Sequence, residues 1–123
     1  MSKTVALADV AAQLDHYGPL ATLVTVGPGG APHVGTVLVT VAGDGLAFQV
    51  GPTTRGHVLA NPAVSLAWLA DGDDYQLIVD GDARVADEPA AGGLYPAVVS
   101  VRNGIRHRLA GRVDGPSCRA IGH

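Results

Sequence analysis

Short runs of apolar and β-branched residues, separated by turns rich in glycine and proline, constrain the fold of this chain more than any other feature. The first run, Leu20–Val26, ends in a Gly-Pro-Gly-Gly turn at residues 27–30. Two more runs, residues 33–42 and 46–50, are separated by Gly-Asp-Gly. Such runs predict strands, and the Asp-Gly pair predicts a hairpin. We therefore expect the first three strands to form an antiparallel meander.

The sequence before these strands has a helical period instead. Its apolar residues recur at spacings of three and four, on one face of an amphipathic helix: Leu7, Val10, Ala11, Leu14 and Tyr17. A second, short helix is predicted from residue 53 to about residue 60, before Asn61-Pro62. Thr53 or Thr54 is expected to cap it, because a hydroxyl oxygen can accept a free N–H at a helix start.

The rest of the chain returns to a strand pattern. Strands are predicted at residues 63–69 and 75–85, and two closing strands at residues 94–101 and 105–113. Five or six short antiparallel strands with few helices are typical of a barrel or a sandwich, and period alone does not separate the two. A chain of 123 residues has the length of one domain, so residues 1–123 are expected to form a single unit.

Composition excludes several classes of protein. The chain is 47% hydrophobic, 15% charged and has a net charge of −3, so neither nucleic acid nor a membrane surface is an expected partner. Its single cysteine, Cys118, cannot form an intramolecular disulfide. The chain has neither an apolar run long enough to span a bilayer nor two histidines spaced as metal ligands on one element. We expect a cytoplasmic protein without a metal site.

The charges are nevertheless unevenly distributed. Residues 71–88 hold seven acidic residues and one arginine, whereas residues 102–119 hold five arginines and one aspartate. The basic segment is expected either to bind a phosphate or to pair with the acidic segment of a second subunit.

One stretch combines several features of a cofactor site. Thr54-Arg55 begins the short helix, Asn61-Pro62 ends it, a strand follows to Trp68, and Gln76 begins the run that leads to Gly81. A helix start with a hydroxyl and an arginine can hold an anion, because free N–H groups and the helix dipole favour negative charge there. In this order, the features resemble the pyridoxamine 5′-phosphate oxidase-like family of FMN-binding split barrels, over about residues 5–87.

The resemblance implies a mainly β fold, an antiparallel and Greek-key-like split barrel with short helices. It also implies a homodimer with FMN at the subunit boundary, or a deazaflavin coenzyme in place of FMN. Backbone groups of the second strand would line the flavin ring, the end of the third strand would lie near the ribityl chain, and the helix start would hold the phosphate. The implied cofactor-binding residues are Gly35, Thr36, Val37, Gln49, Val50, Thr53, Thr54, Arg55 and Gln76.

The chain departs from the family pattern at one position of the helix start. The lysine that follows the arginine in the family is Gly56 here, which removes one phosphate-binding charge. His57 either replaces that lysine or lies on a solvated helix face. His33 is interpreted as a surface residue in preference to a substrate contact. Trp68 is interpreted as a residue of the core or of a dimer interface in preference to one that stacks on a ring system.

Two functions are consistent with these features. The first is an FMN-dependent oxidoreductase that acts on an unidentified small molecule, in which the cofactor carries the electrons and no protein nucleophile is needed. The second is a non-catalytic protein that binds a flavin, a deazaflavin or a haem-like ligand.

Overall fold

The computed structural model describes residues 7–110 and 118–120. Two helices, α1 (Leu7–Tyr17) and α2 (Pro52–Ala60), occupy the predicted places. Neither reaches the length of apolar helix that a bilayer crossing requires.

Eight strands make up the rest of the regular structure, and all of their pairs are antiparallel. In chain order they are β1 (Leu20–Val26), β2 (Pro32–Leu38), β3 (Thr40–Ala42), β4 (Gly45–Val50), β5 (Ala63–Trp68), β6 (Tyr75–Val85), β7 (Tyr95–Arg108) and β8 (Cys118–Ala120).

The sheet order is β2-β1-β5-β6-β7-β4-β3, with β8 paired to β7. Although β2 and β3 lie at opposite ends of this order, the sheet curves until β2 contacts β4. The result is an antiparallel half-barrel with two short helices, which confirms the predicted split barrel.

The predicted meander of the first three strands is wrong in one respect: both of its hairpins form, β1 with β2 and β3 with β4, but its middle strand is interrupted. The run at residues 33–42 is two strands, because the chain leaves the sheet at Val39, whose buried backbone N–H donates to the carbonyl of Pro19 over 2.8 Å. From there β3 forms a separate hairpin with β4. The predicted turn of that hairpin is confirmed, with Gly43 at a positive φ of 58°.

The prediction of two closing strands is also wrong. β7 is one strand of 14 residues, and it pairs with β6 along its length. A shift in register between Asp80 and Gly81 allows the long strand to follow the curved sheet, since a bulge increases local twist. Residues 111–113 of the second predicted strand lie outside the described residues.

The start of α2 differs from the prediction as well. Gly51 is the N-cap residue, Pro52 occupies the first turn, and no side chain caps the helix. Proline suits this position because it has no N–H to leave unpaired and its φ is already helical. Thr53 and Thr54 therefore lie inside the first turn.

The core lies on the concave side of the sheet, where alternate residues of each strand point inward. Leu46, Leu66, Leu77, Val79 and Val99 are completely buried there. Trp68 is only 1% exposed, so it belongs to the core, and its indole N–H has no hydrogen-bond partner among the described residues.

The acidic and basic segments meet within this one chain. Asp73 pairs with Arg106 over 2.9 Å, and Asp82 pairs with Arg102 over 3.4 Å. The antiparallel pairing of β6 and β7 brings the two segments together. The two segments therefore pair at least in part within one chain, which the sequence analysis did not consider.

Candidate functional site

Three cavities adjoin one another around β2, and Thr36 lines all three. The strand cavity, about 540 Å³, lies between β2, β4 and β7. The helix cavity, about 220 Å³, lies between β2, the end of β4 and the start of α2. The outer cavity, about 400 Å³, lies over β1, β2 and β5 and includes Gln76 of β6.

The structure brings six of the nine predicted cofactor-binding residues together in the helix cavity. The six are Gly35, Thr36, Val37, Gln49, Val50 and Thr54. Thr36, Val37 and Gln49 also line the strand cavity, so the two cavities are adjacent. Gln76 lines the outer cavity instead, on the far side of Thr36.

The other two predicted residues, Thr53 and Arg55, are not among the lining residues. Thr53 is exposed, whereas the guanidinium of Arg55 is engaged elsewhere. Its Nε donates to the carbonyl of Ala86 over 3.0 Å, and its central carbon lies 4.8 Å from the centre of the Tyr95 ring. These contacts fasten α2 to the connection between β6 and β7.

Sequence reasoning missed Leu94 and assigned His33 to the surface. Leu94 lies between the helix and strand cavities and lines both. It follows Gly92 and Gly93, which both have positive φ, and the loop they form directs the chain back toward β2. His33 lines the helix cavity, because it begins the strand that forms one wall.

His57 is half-buried and its ring packs against β1, so it does not lie on a fully solvated helix face. Its Nδ1 lies 3.3 Å from the hydroxyl oxygen of Thr25, which is fully buried. A Cβ on Gly27 would lie 3.2 Å from the His57 ring, so the absence of a side chain there makes room for the imidazole. The rings of His33 and His57 meet edge to face, with centres 5.0 Å apart. His57 thus supports His33 at the edge of the helix cavity.

The lining chemistry can be compared with the parts of FMN. Apolar side chains and neutral hydrogen-bonding groups such as Gln49 and Thr36 fit a flavin ring and its ribityl chain. Thr54 adds one more neutral hydrogen-bonding side chain at the start of α2. Within residues 7–110 and 118–120, no group of three or more His, Cys, Asp or Glu side chains could hold a metal ion.

A split barrel with a ligand-sized cavity beside its second strand defines the class of this protein. The chain belongs to the pyridoxamine 5′-phosphate oxidase family, whose sequence profile, described as pyridoxamine 5′-phosphate oxidase, matches residues 8–113. The match extends the resemblance, noted over about residues 5–87, into the last third of the chain.

Solved structures show the same fold. An F420 reductase is 20% identical, with a TM-score of 0.62 over 75% of this chain and 94% of that one. A putative pyridoxamine 5′-phosphate oxidase from Listeria innocua is 15% identical, with a TM-score of 0.67 over 80% and 95%. The haem storage protein of Vibrio cholerae is 13% identical, with a TM-score of 0.61 over 96% of each chain. Comparison with the sequences of curated proteins gives no match.

Proposed function

We propose that this chain binds a flavin-type cofactor, FMN or a deazaflavin, in the helix and strand cavities and acts as an oxidoreductase on a small molecule. One observation carries the proposal: residues of β2, the end of β4 and the start of α2, which are distant in sequence, line the helix cavity together. The fold of an F420 reductase and of a putative pyridoxamine 5′-phosphate oxidase supports it.

In this arrangement the chain binds and orients the cofactor, which supplies the electron transfer when bound. Backbone groups at Gly35 and Val37 would hold the ring, Gln49 and Val50 would hold the ribityl chain, and Thr54 would lie beyond it at the start of α2. Leu94 lines both cavities and would contact the cofactor between them.

Substitution at Gly35 tests where the cofactor binds. Gly35 lines the helix cavity, and a Cβ built on it meets nothing within 4 Å, so Gly35→Val fills the cavity while the strand stays intact. We expect FMN or deazaflavin to bind at least about tenfold more weakly, because overfilling a packed site costs about 1–3 kcal/mol. Absorbance and fluorescence titration measures the affinity.

The matched control is Gly29→Val, which also has open space around its Cβ but lies in the turn between β1 and β2. Equal affinities for the two variants would place the cofactor elsewhere. If neither FMN nor deazaflavin bound to the unaltered protein, the proposed function would be rejected.

Non-catalytic binding is the second candidate function. Structural similarity to a haem storage protein favours it, together with the imidazole of His33 at the cavity edge, since histidine is a common axial ligand of haem iron. Titration with haemin in the same experiment separates the two candidates. Saturable haemin binding, with no binding of FMN or deazaflavin, supports the second.

We also propose that a second copy of the chain covers the outer face of the sheet. The outward side chains of β1, β2 and β5 are largely apolar, and Val34, Leu38 and Leu69 are each more than 60% exposed. Continuous apolar patches of this kind are typical of protein interfaces. The outer cavity with Gln76 opens on this face, so a partner could bring its own Gln76 toward the cofactor.

The dimer is tested by placing a charge on that face. Val34→Asp is expected to weaken association at least about tenfold, because an unpaired carboxylate would be buried between the subunits. Light scattering against concentration should give twice the 12.4 kDa chain mass for the unaltered protein and a shift toward the monomer for the variant. Leu59→Asp is the control, since Leu59 is similarly exposed but lies on α2. A monomer at every concentration before substitution would contradict the proposal.

A further inference from the structure

The walls of the cavities around β2 are electrically neutral, which differs from what a phosphate-binding site predicts. No lysine, arginine, aspartate or glutamate lines the helix, strand or outer cavity, whose walls belong to the described ranges. Their polar groups are the hydroxyls of threonine, the amides of glutamine, backbone groups and the imidazole of His33. A ligand in these cavities therefore meets neutral donors and acceptors and a single ionisable side chain.

Three arginines that the sequence analysis considered for a phosphate have other partners in the fold. Arg55 is bound to the carbonyl of Ala86 and stacked on Tyr95, and its Nη2 lies 4.0 Å from the carboxylate of Asp87. Arg102 faces Asp82, and Arg106 is bound to Asp73. The position after Arg55 is Gly56, which has no side chain to contribute.

We propose that this site recognises the uncharged ring system of its ligand and is indifferent to a terminal phosphate, so that riboflavin is as good a ligand as FMN. The proposal rests on the proposed function and narrows its ligand class to neutral planar heterocycles. A charge-assisted contact to phosphate would usually add about ten- to a hundredfold in affinity. Without a cation on the cavity wall, that gain is absent and the phosphate stays in solvent.

The direct test is titration of the full chain with riboflavin and with FMN, at low and at high salt. We expect dissociation constants within about threefold of each other that change little with salt, because no screened charge pair contributes. FMN binding more than about tenfold tighter than riboflavin, with an advantage that shrinks at high salt, would overturn the inference and leave the proposed function intact. No binding of either flavin would reject both.

Two substitutions on α2 sharpen the test. Thr54→Lys places a cation on the wall of the helix cavity, so it should raise the ratio of FMN affinity to riboflavin affinity about tenfold. Leu59→Lys adds the same charge to an exposed position of α2 that lines none of the three cavities, and the ratio of the two affinities should not change. An equal effect of both substitutions would contradict the inference.

Substitution of Arg55 provides a third measurement. Arg55→Ala removes the contacts that fasten α2 to Ala86 and Tyr95, so any loss of affinity should be the same for riboflavin and FMN. Selective loss of FMN binding would show that Arg55 holds the phosphate, and the inference would be wrong. Circular dichroism of the variant confirms that the chain remains folded.

Discussion

Gly81→Ala is expected to lower the free energy of unfolding by at least about 3 kcal/mol, a large effect for the addition of a single methyl group. Gly81 lies at the bulge between β6 and β7. A Cβ there would collide with the carbonyl oxygen of Ser100 and the side chain of Val99, and would lie 3.1 Å from the carbonyl carbon of Ser100. A backbone atom of a central strand cannot move aside without breaking the ladder of hydrogen bonds.

Chemical denaturation of the variant measures this loss, with Gly56→Ala as the control. A Cβ on Gly56 meets nothing within 4 Å, and alanine in a helix is about 0.5–1 kcal/mol more stable than glycine. The two glycine substitutions should therefore move the midpoint in opposite directions. Similar midpoints for both variants would show that the close approach at the bulge does not constrain the fold.

Asp73→Asn is expected to cost about 1.5–3 kcal/mol of stability, the range for hydrogen bonds to a charged group. The carboxylate is 11% exposed and connects α1 with β6 and β7. One oxygen accepts from Arg106 over 2.9 Å and lies 2.7 Å from Nε2 of His16, while the other accepts the backbone N–H of Tyr75 over 2.9 Å. Arg106 also donates to the hydroxyl of Tyr17 over 3.1 Å, so loss of the charge weakens the whole group.

The same carboxylate gives stability a definite dependence on pH. Burial raises the pKa of Asp73, but the hydrogen bonds from Tyr75 and His16 and the charge of Arg106 outweigh it and lower the pKa below its ordinary value. The unfolded chain therefore binds the proton first as pH falls. The stability that Asp73 contributes is fully present above the ordinary pKa of an aspartate, about 4. It is lost as pH falls through the lower pKa of the folded state.

Denaturation curves between neutral and acid pH test this dependence. The acid loss of stability should be smaller in Asp73→Asn than in the unaltered protein. Asp71→Asn changes an exposed carboxylate of the same turn, so this variant should lose as much stability in acid as the unaltered protein does. Identical pH profiles for all three proteins would mean that Asp73 does not link α1 to the sheet. At the alkaline end, burial raises the pKa of Tyr17, so stability should fall only when pH exceeds the ordinary tyrosine value, about 10.

Local pattern was sufficient for the elements whose conformation depends on neighbouring residues. α1 was predicted from its period of three and four, because burial of one helix face repeats at that spacing. β1 has alternating burial and begins and ends where its flanking turns predict. The turn at Gly43 was predicted because a positive φ favours glycine and needs no distant partner.

The order of motifs along the chain resembles that of a family, and this resemblance also predicted much of the cavity wall. Gly35, Thr36, Gln49 and Thr54 were named together although they come from three elements, and the fold brings them to one cavity. No period or spacing within the chain could have done this, since the three elements that carry these residues are brought to one cavity only by the fold. The family pattern supplied the long-range information that a single sequence lacks.

The fold alone decided which strands pair and where the chain leaves the sheet. Whether residues 94–108 form one strand or two depends on β6, and whether residues 33–42 form one strand or two depends on Pro19. Both outcomes depend on hydrogen bonds between residues that are distant in sequence. The pattern of residues in a strand does not indicate which distant segment will be its partner.

The fold also decided which groups the Arg55 side chain contacts. In the sequence it stands at a helix start, where an arginine is expected to hold a phosphate, but Ala86 and Tyr95 lie next to it only in the folded chain. Leu94 and His33 reach the cavity through the same folding of distant segments. Sequence by itself determined the elements and the residues available to a cofactor. Tertiary structure decided which side chains face the cavity, because that choice depends on packing partners more than thirty residues away.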